Sequence, residues 1–241
     1  MTATSQEVID GIMEFDSATM FNAVIESMGG SQGGTELEGQ GGVPIIYTDP
    51  SLHCYLPNLG SAVGYAVTCE VTALDPDSRK IDWHDYYDKL DETPSPVIGV
   101  IKDIDSRPGR GAVLGDGMAS THKMVGATGI VVDGSIRDLA GIEGVGLPVW
   151  GKGLVPGHGV FNLIRADVPV VVAGLLIHPN DLLICDRDGV TRIPNDMDPA
   201  VVLEKAREIR EREQSYMKIA RQPDMTWAKL KQIQLEMRGE G

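Results

Sequence analysis

The chain is divided into short β-branched runs that glycine or aspartate closes before any grows long, and this punctuation is what most limits the fold it can adopt. Runs at 96–104, 128–133, 148–150, 160–165 and 168–176 are interleaved with helical patterns at 81–92 and 112–125. Strands alternating with helices in this way define a layered α/β protein. Even the longest nearly apolar run, 168–177, has ten residues, against the roughly 20 that a membrane-spanning helix needs. The 29 glycines and 5% aromatic content imply many tight turns and places where backbone lies close to another group.

Punctuation also sets the boundaries. Asp16-Ser17 offers cap oxygens and Gly29-Gly30 a left-handed stop, so the spacing predicts a helix over 17–28. A glycine-rich loop runs from there to Gly42, and strands are expected at 43–47 and 61–74. The segment 182–194 reads as a hairpin turning at Arg187-Asp188-Gly189. Asp198-Pro199 then opens a helix running to about residue 221, and an amphipathic segment at 226–237 follows. The expected organisation is a single α/β domain over 1–221 with a C-terminal helical extension over 222–241.

Charge narrows the class of partner. Twenty-one Lys and Arg against 35 Asp and Glu leave −14, the wrong sign for nucleic acid or an anionic membrane. Cys54, Cys69 and Cys185 are odd in number and lack CxxC spacing, and no basic-then-apolar leader opens the chain, so a reduced, cytoplasmic protein is expected.

The chemistry concentrates in residues 114–153. Gly115-Asp116-Gly117 stands where a helix begins, and a helix start fronted by flexible backbone presents free N–H groups to an anion. The competing reading is that Asp116 only caps the helix. Downstream, VVDGSIRDL ends a β-branched run in Asp133 and then Arg137-Asp138, at the strand end where α/β sites gather. An aspartate with an open face suits Mg²⁺, and an arginine beside it suits enolate charge; as an isolated dipeptide the two would be a solvated pair. Asp133 is expected to orient the Arg-Asp turn and His122 to be a satisfied histidine on the helix. The other histidines lack ligand spacing for zinc. On the 199–221 helix Val202, Ala206, Ile209, Glu213, Met217 and Ala220 share one face, so Glu213 interrupts an apolar stripe. There it needs either a partner or solvent.

Asp116, twenty intervening residues and then Arg137-Asp138 is a specific pattern. With FDSATMFNAV, VVDGSIRD and HPNDLLICDRDGVTRIP it resembles the RraA-like family over roughly 15–215. That family includes class II pyruvate aldolases acting on 4-hydroxy-4-methyl-2-oxoglutarate and 4-carboxy-4-hydroxy-2-oxoadipate. The resemblance implies a layered swivelling-domain β-sheet with flanking helices, assembled as a homotrimer or hexamer with sites between subunits. By the same resemblance Asp138 ligates Mg²⁺ (or Mn²⁺) and Arg137 holds the keto or enolate oxygen. Asp116 holds a water, the Gly115-Gly117-Met118 backbone receives the pyruvyl carboxylate, and Glu213 enters a neighbour's site. The implied reaction is retro-aldol cleavage of a 4-hydroxy-2-oxo acid, with oxaloacetate decarboxylation beside it. A second type of member regulates a ribonuclease by surface contacts alone, and the intact Asp-X20-Arg-Asp counts against it here. The Gly29–Gly42 loop, the 81–92 segment and the tail from 223 depart from compact members, so they bear on the substrate's distal half.

Overall fold

The computed structural model describes residues 4–30 and 45–237. Helices α1 (Gln6–Met13) and α2 (Ser17–Ser27) lead to β1 (His53–Cys54), β2 (Ala62–Thr72), α3 (Trp83–Glu92) and β3 (Val97–Asp103). Next come β4 (Ala112–Leu114), α4 (Asp116–Met124), β5 (Ala127–Ile136), α5 (Leu139–Val145) and β6 (Val149–Leu154). The chain continues through β7 (Asn162–Ala166), β8 (Val170–Val172), β9 (Leu175–Ile177), β10 (Leu182–Asp186) and β11 (Gly189–Ile193) to α6 (Pro199–Ala220) and α7 (Trp227–Met237).

The main sheet has the order β1-β6-β5-β3-β2-β10-β11, with β4 added to β5 and β7 to β2. Its centre, β2, β3, β5 and β6, is parallel, and antiparallel strands flank it. The sheet curls into a nearly closed swivelling barrel: β6 and β10 are not neighbours in it, yet the Trp150 indole N–H of β6 donates to the Asp186 carbonyl of β10 at 2.6 Å. Successive residues of β5 serve opposite faces. Ile130, Val132 and Ile136 pack under α3, α4 and α5, whereas Val131 joins Trp150, Ile98 and the β8–β9 hairpin inside the curl. A third cluster holds α1, α2 and α6 against β10 and β11.

Several boundaries differ from the sequence reading, each for a local reason. Ala112-Val113-Leu114, expected within a helix, is a buried strand paired to β5; so short an apolar run fits either period. Gly134-Ser135-Ile136, expected as a turn, prolongs β5, with a register shift between Val132 and Ser135 taking up the irregularity. The 168–176 run folds back on itself because Ala173 and Gly174 both adopt positive φ, 43° and 78°. Two helices were not anticipated. Ser5 caps α1 by accepting the Val8 N–H, and α5 is short, ending at Gly146 with φ 70°. Of the expected 43–47 strand, residues 43 and 44 lie outside the described residues, as does 31–42 of the glycine loop; Tyr47 makes one bridge, to Thr191. Among the described residues no helix is long and apolar enough to cross a membrane.

Candidate active site

Strands β4 and β5 run parallel, with Ala112 opposite Ser135 and Leu114 opposite Ile136, so both end at the same level. The Arg137 N–H donates to the Leu114 carbonyl at 3.0 Å and extends the pairing past the strand ends. From that level the chain enters α4 through Gly115 and α5 through Arg137-Asp138, so two helix starts lie side by side at the carboxyl edge of the sheet. Gly115 is the N-cap of α4, with extended backbone (φ −138°, ψ −178°) and no side-chain cap. Asp116 is the first helical residue, not the cap, and both it and Gly117 are exposed. The earliest intrahelical bond is Ala119 N–H to Gly115 carbonyl at 3.0 Å, which leaves the N–H groups of Asp116, Gly117 and Met118 to outside partners.

Asp138 caps α5 in the left-handed region at φ 56°, ψ 39°. Aspartate tolerates this region better than most residues, at about 1 kcal/mol, and such strain gathers at working sites. Its Oδ2 lies 3.2 Å from Arg137 Nε, with the two side chains 41% and 35% exposed. A Cβ on Gly115 would stand 2.9 Å from Asp138 Oδ2 and 3.3 Å from Arg137 Nε. The charged pair therefore rests directly on the backbone that opens α4, in space that only glycine leaves free. Asp116 leans the other way, over the first turn of α5, where a Cβ on Gly141 would be 2.5 Å from its Oδ2. Gly115, Asp116, Gly117, Met118, Arg137 and Asp138 thus form one patch, anionic at two carboxylates and open at the helix N–H groups.

Two other expectations fall elsewhere. Asp133 has its carboxylate bonded away from the Arg-Asp turn. It sits in a row of cross-strand charges in which Glu70 lies opposite both Arg165 and Lys102, and Lys102 opposite Asp133. Its carboxylate accepts from Lys102 and Lys152, each at 2.9 Å, and from the Ala173 N–H at 3.0 Å. Burial pushes the Asp133 carboxyl upward, but these donors outweigh it and hold it below its ordinary value. Asp133 thereby ties β5 to the β8–β9 hairpin. Glu213 is exposed on α6. That helix is buried through Val202, Leu203, Ala206 and Ile209, against α1 and α2 and not the α4–α5 layer. Beyond Ile209 the apolar stripe emerges, with Met217 37% exposed.

His122 is the satisfied histidine expected, fully buried with both ring nitrogens partnered; what sequence reasoning missed was its partner Tyr86 and the partners of Asp133. For Tyr86, the aromatic doublet Tyr86-Tyr87 on an otherwise polar helix was the available signal. Asp133's lysines lie on different strands, so only sheet register could reveal them. Among the described residues no group of three or more His, Cys, Asp or Glu is placed to hold a metal. One or two water-facing carboxylates are nonetheless the donor set Mg²⁺ accepts, with water and ligand oxygens filling its octahedron. Asp138, with Asp116 nearby, fits that requirement.

A swivelling α/β barrel whose carboxyl edge joins an uncapped helix start to an Arg-Asp pair is the class the geometry defines. The family model for RraA-like proteins, described as Aldolase/RraA, matches residues 41–192, and the chain belongs to that family. A protein named "Putative 4-hydroxy-4-methyl-2-oxoglutarate aldolase" from Halalkalibacterium halodurans is 35% identical over 97 residues, 40% of this chain and 46% of that protein. An uncharacterized protein of Methanocaldococcus jannaschii is 34% identical over 99 residues, 40% of this chain and 47% of that one. The matches thus span about half the length of these curated relatives. Among solved structures, a protein of Pseudomonas syringae pv. tomato superposes with a TM-score of 0.73 at 23% identity, covering 96% of each chain. RraAS2 of Streptomyces coelicolor, described as an unusual member of the RNase ES inhibitor RraA family, gives 0.68 at 24% identity, over 90% of this chain and all of that one. These two likenesses speak for the fold.

Proposed function

We propose that the chain is a class II pyruvate aldolase, cleaving a 4-hydroxy-2-oxo acid of the 4-hydroxy-4-methyl-2-oxoglutarate type and decarboxylating oxaloacetate as a side reaction. The observation that carries this reading is the contact of Asp138 Oδ2 and Arg137 Nε with the Gly115 backbone, 2.9 and 3.3 Å from where a Cβ would stand. It sets a cation, a carboxylate and an anion-binding helix start around one small volume. The Gly117 and Met118 N–H groups receive the pyruvyl carboxylate. Asp138 would hold Mg²⁺ or Mn²⁺, which when bound polarises a keto oxygen as a Lewis acid. The Arg137 guanidinium neutralises charge that grows on the keto oxygen as the C3–C4 bond breaks. Asp116 orients a water that takes the C4 hydroxyl proton and later returns one to C3, giving pyruvate. Glu213, remote from its own chain's patch, serves that of a neighbouring copy in a homotrimer or hexamer.

The test is pyruvate release from a panel of 4-hydroxy-2-oxo acids and oxaloacetate, with Mg²⁺, with Mn²⁺ and with EDTA. Turnover lost in chelator, restored by metal and abolished in a folded Asp138→Asn variant is the expected outcome. Full turnover in chelator after exhaustive dialysis would sink the class II assignment. Release from none of the acids would leave the regulator reading, surface binding to another protein.

A further inference from the structure

Beneath α4 lies a buried polar chain that the proposed chemistry does not use. Tyr86 of α3 and His122 of α4 are both fully buried. The Tyr86 hydroxyl is 3.0 Å from His122 Nε2, and His122 Nδ1 is 2.8 Å from the Met118 carbonyl. A carbonyl can only accept, so Nδ1 carries the proton, and Nε2 of the neutral ring accepts from the Tyr86 O–H. Cys69 of β2 is buried beside Tyr86 in the same core cluster. Gly99 of β3 makes room for both rings, since a Cβ there would stand 2.6 Å from His122 Cδ2 and 2.7 Å from the Tyr86 oxygen. α3 and β3 therefore both meet α4 at one imidazole, and the imidazole grips Met118, whose N–H belongs to the open first turn.

We infer that Tyr86 and His122 are positioning residues for the anion cradle: acting through the Met118 carbonyl, they fix the roll of α4 so that the Gly117 and Met118 N–H groups face the carboxylate of a 2-oxo acid. The substrate class rests on the proposed function, whereas the positioning of a carboxylate does not. A carboxylate that takes no part in bond breaking is held equally in the ground and transition states, so loosening its cradle raises KM and spares kcat.

Two variants reach the pair from different sides. Tyr86→Phe keeps the ring and removes the O–H, leaving Nε2 unpaired in a dry site. Gly99→Ala pushes on the same two rings from the sheet. For each, kcat and KM are read by pyruvate release, the dissociation constant for pyruvate by calorimetry with Mg²⁺ present, and folding by thermal melt. Expected are rises of about tenfold in KM and in the pyruvate dissociation constant, with kcat within about twofold. A lower melting temperature with both constants unchanged in folded Tyr86→Phe would overturn the inference, as would a fall in kcat at constant KM. If the parent chain releases no pyruvate from any acid yet binds pyruvate, and Tyr86→Phe binds it more weakly, the aldolase reading fails and the positioning role stands. If the parent chain binds no pyruvate at all, the positioning role fails.

Discussion

Replacing Gly115 with alanine separates the site from the fold. The residue's backbone is extended, at φ −138° and ψ −178°, so alanine adopts it without strain. It caps α4 with no side-chain bond to lose, and the stability cost should stay within about 1 kcal/mol, or about 2–4 °C in Tm for a chain of this size. The new methyl would nevertheless stand 2.9 Å from Asp138 Oδ2 and 3.3 Å from Arg137 Nε. Contact distances near 3.5 Å require the carboxylate to retreat by about 0.5 Å and the guanidinium by a few tenths. A reacting site tolerates about 0.5 Å of misplacement, and an error of about 1 Å costs on the order of 100-fold. We expect kcat/KM for pyruvate release to fall about 30- to 100-fold, about 2 to 3 kcal/mol of transition-state stabilisation. Steady-state pyruvate release alongside calorimetric Tm distinguishes the two effects. Activity within twofold of the parent would refute the placement of the Arg137–Asp138 pair against Gly115 as the working geometry.

Arg137→Lys keeps the charge but not the guanidinium fork, so kcat should fall by about 3 kcal/mol in activation terms while Tm barely moves; near-normal kcat with a large Tm drop would make Arg137 structural. Burial pushes the His122 imidazole down from 6.5 to about 4, so the folded protein binds fewer protons than the unfolded chain between these values. Stability should be complete above pH 6.5 and fall by about 3 kcal/mol as pH drops to about 4, with no further loss from this group below that. The buried Cys69 and Tyr86 and the half-buried Tyr87 around it are all shifted upward and stay neutral across that window. Urea midpoints at pH 7 and pH 4.5, for the parent and for His122→Gln, check this: equal pH dependence in both would remove His122 as the source. If the chain assembles as proposed, Glu213→Gln should lower activity without dissociating the subunits, and mixing it with Asp138→Asn chains should restore part of it. No recovery after proven subunit exchange would confine Glu213 to its own chain or to no site.

Where one residue type can satisfy only one local demand, the sequence spoke clearly. Asp198-Pro199 opens α6 with the cap bond to the Ala200 N–H and proline in the first turn, and Asp16 caps α2 through the Thr19 N–H, because both devices act within three residues. The strand ends were less legible. Whether Ala112-Val113-Leu114 continues a helix or pairs with β5 depends on a partner more than 20 residues away, and a three-residue apolar run carries no period of its own. The same distance explains Asp133, whose lysines come from β3 and β6 and whose hairpin donor lies 40 residues downstream. The candidate site lies between these extremes. Its residues could be picked out singly, because an Arg-Asp pair after a β-branched run and glycines at a helix start each have a local reason to exist. Their convergence came only from the family resemblance and not from the residues themselves, because it is set by β4 and β5 ending level, and that register is a property of the sheet. The strained Asp138 backbone follows from the same constraint. With Arg137 N–H held to Leu114, the chain must turn at once to begin α5, and a left-handed residue at 138 makes that turn while holding the carboxylate beside Gly115.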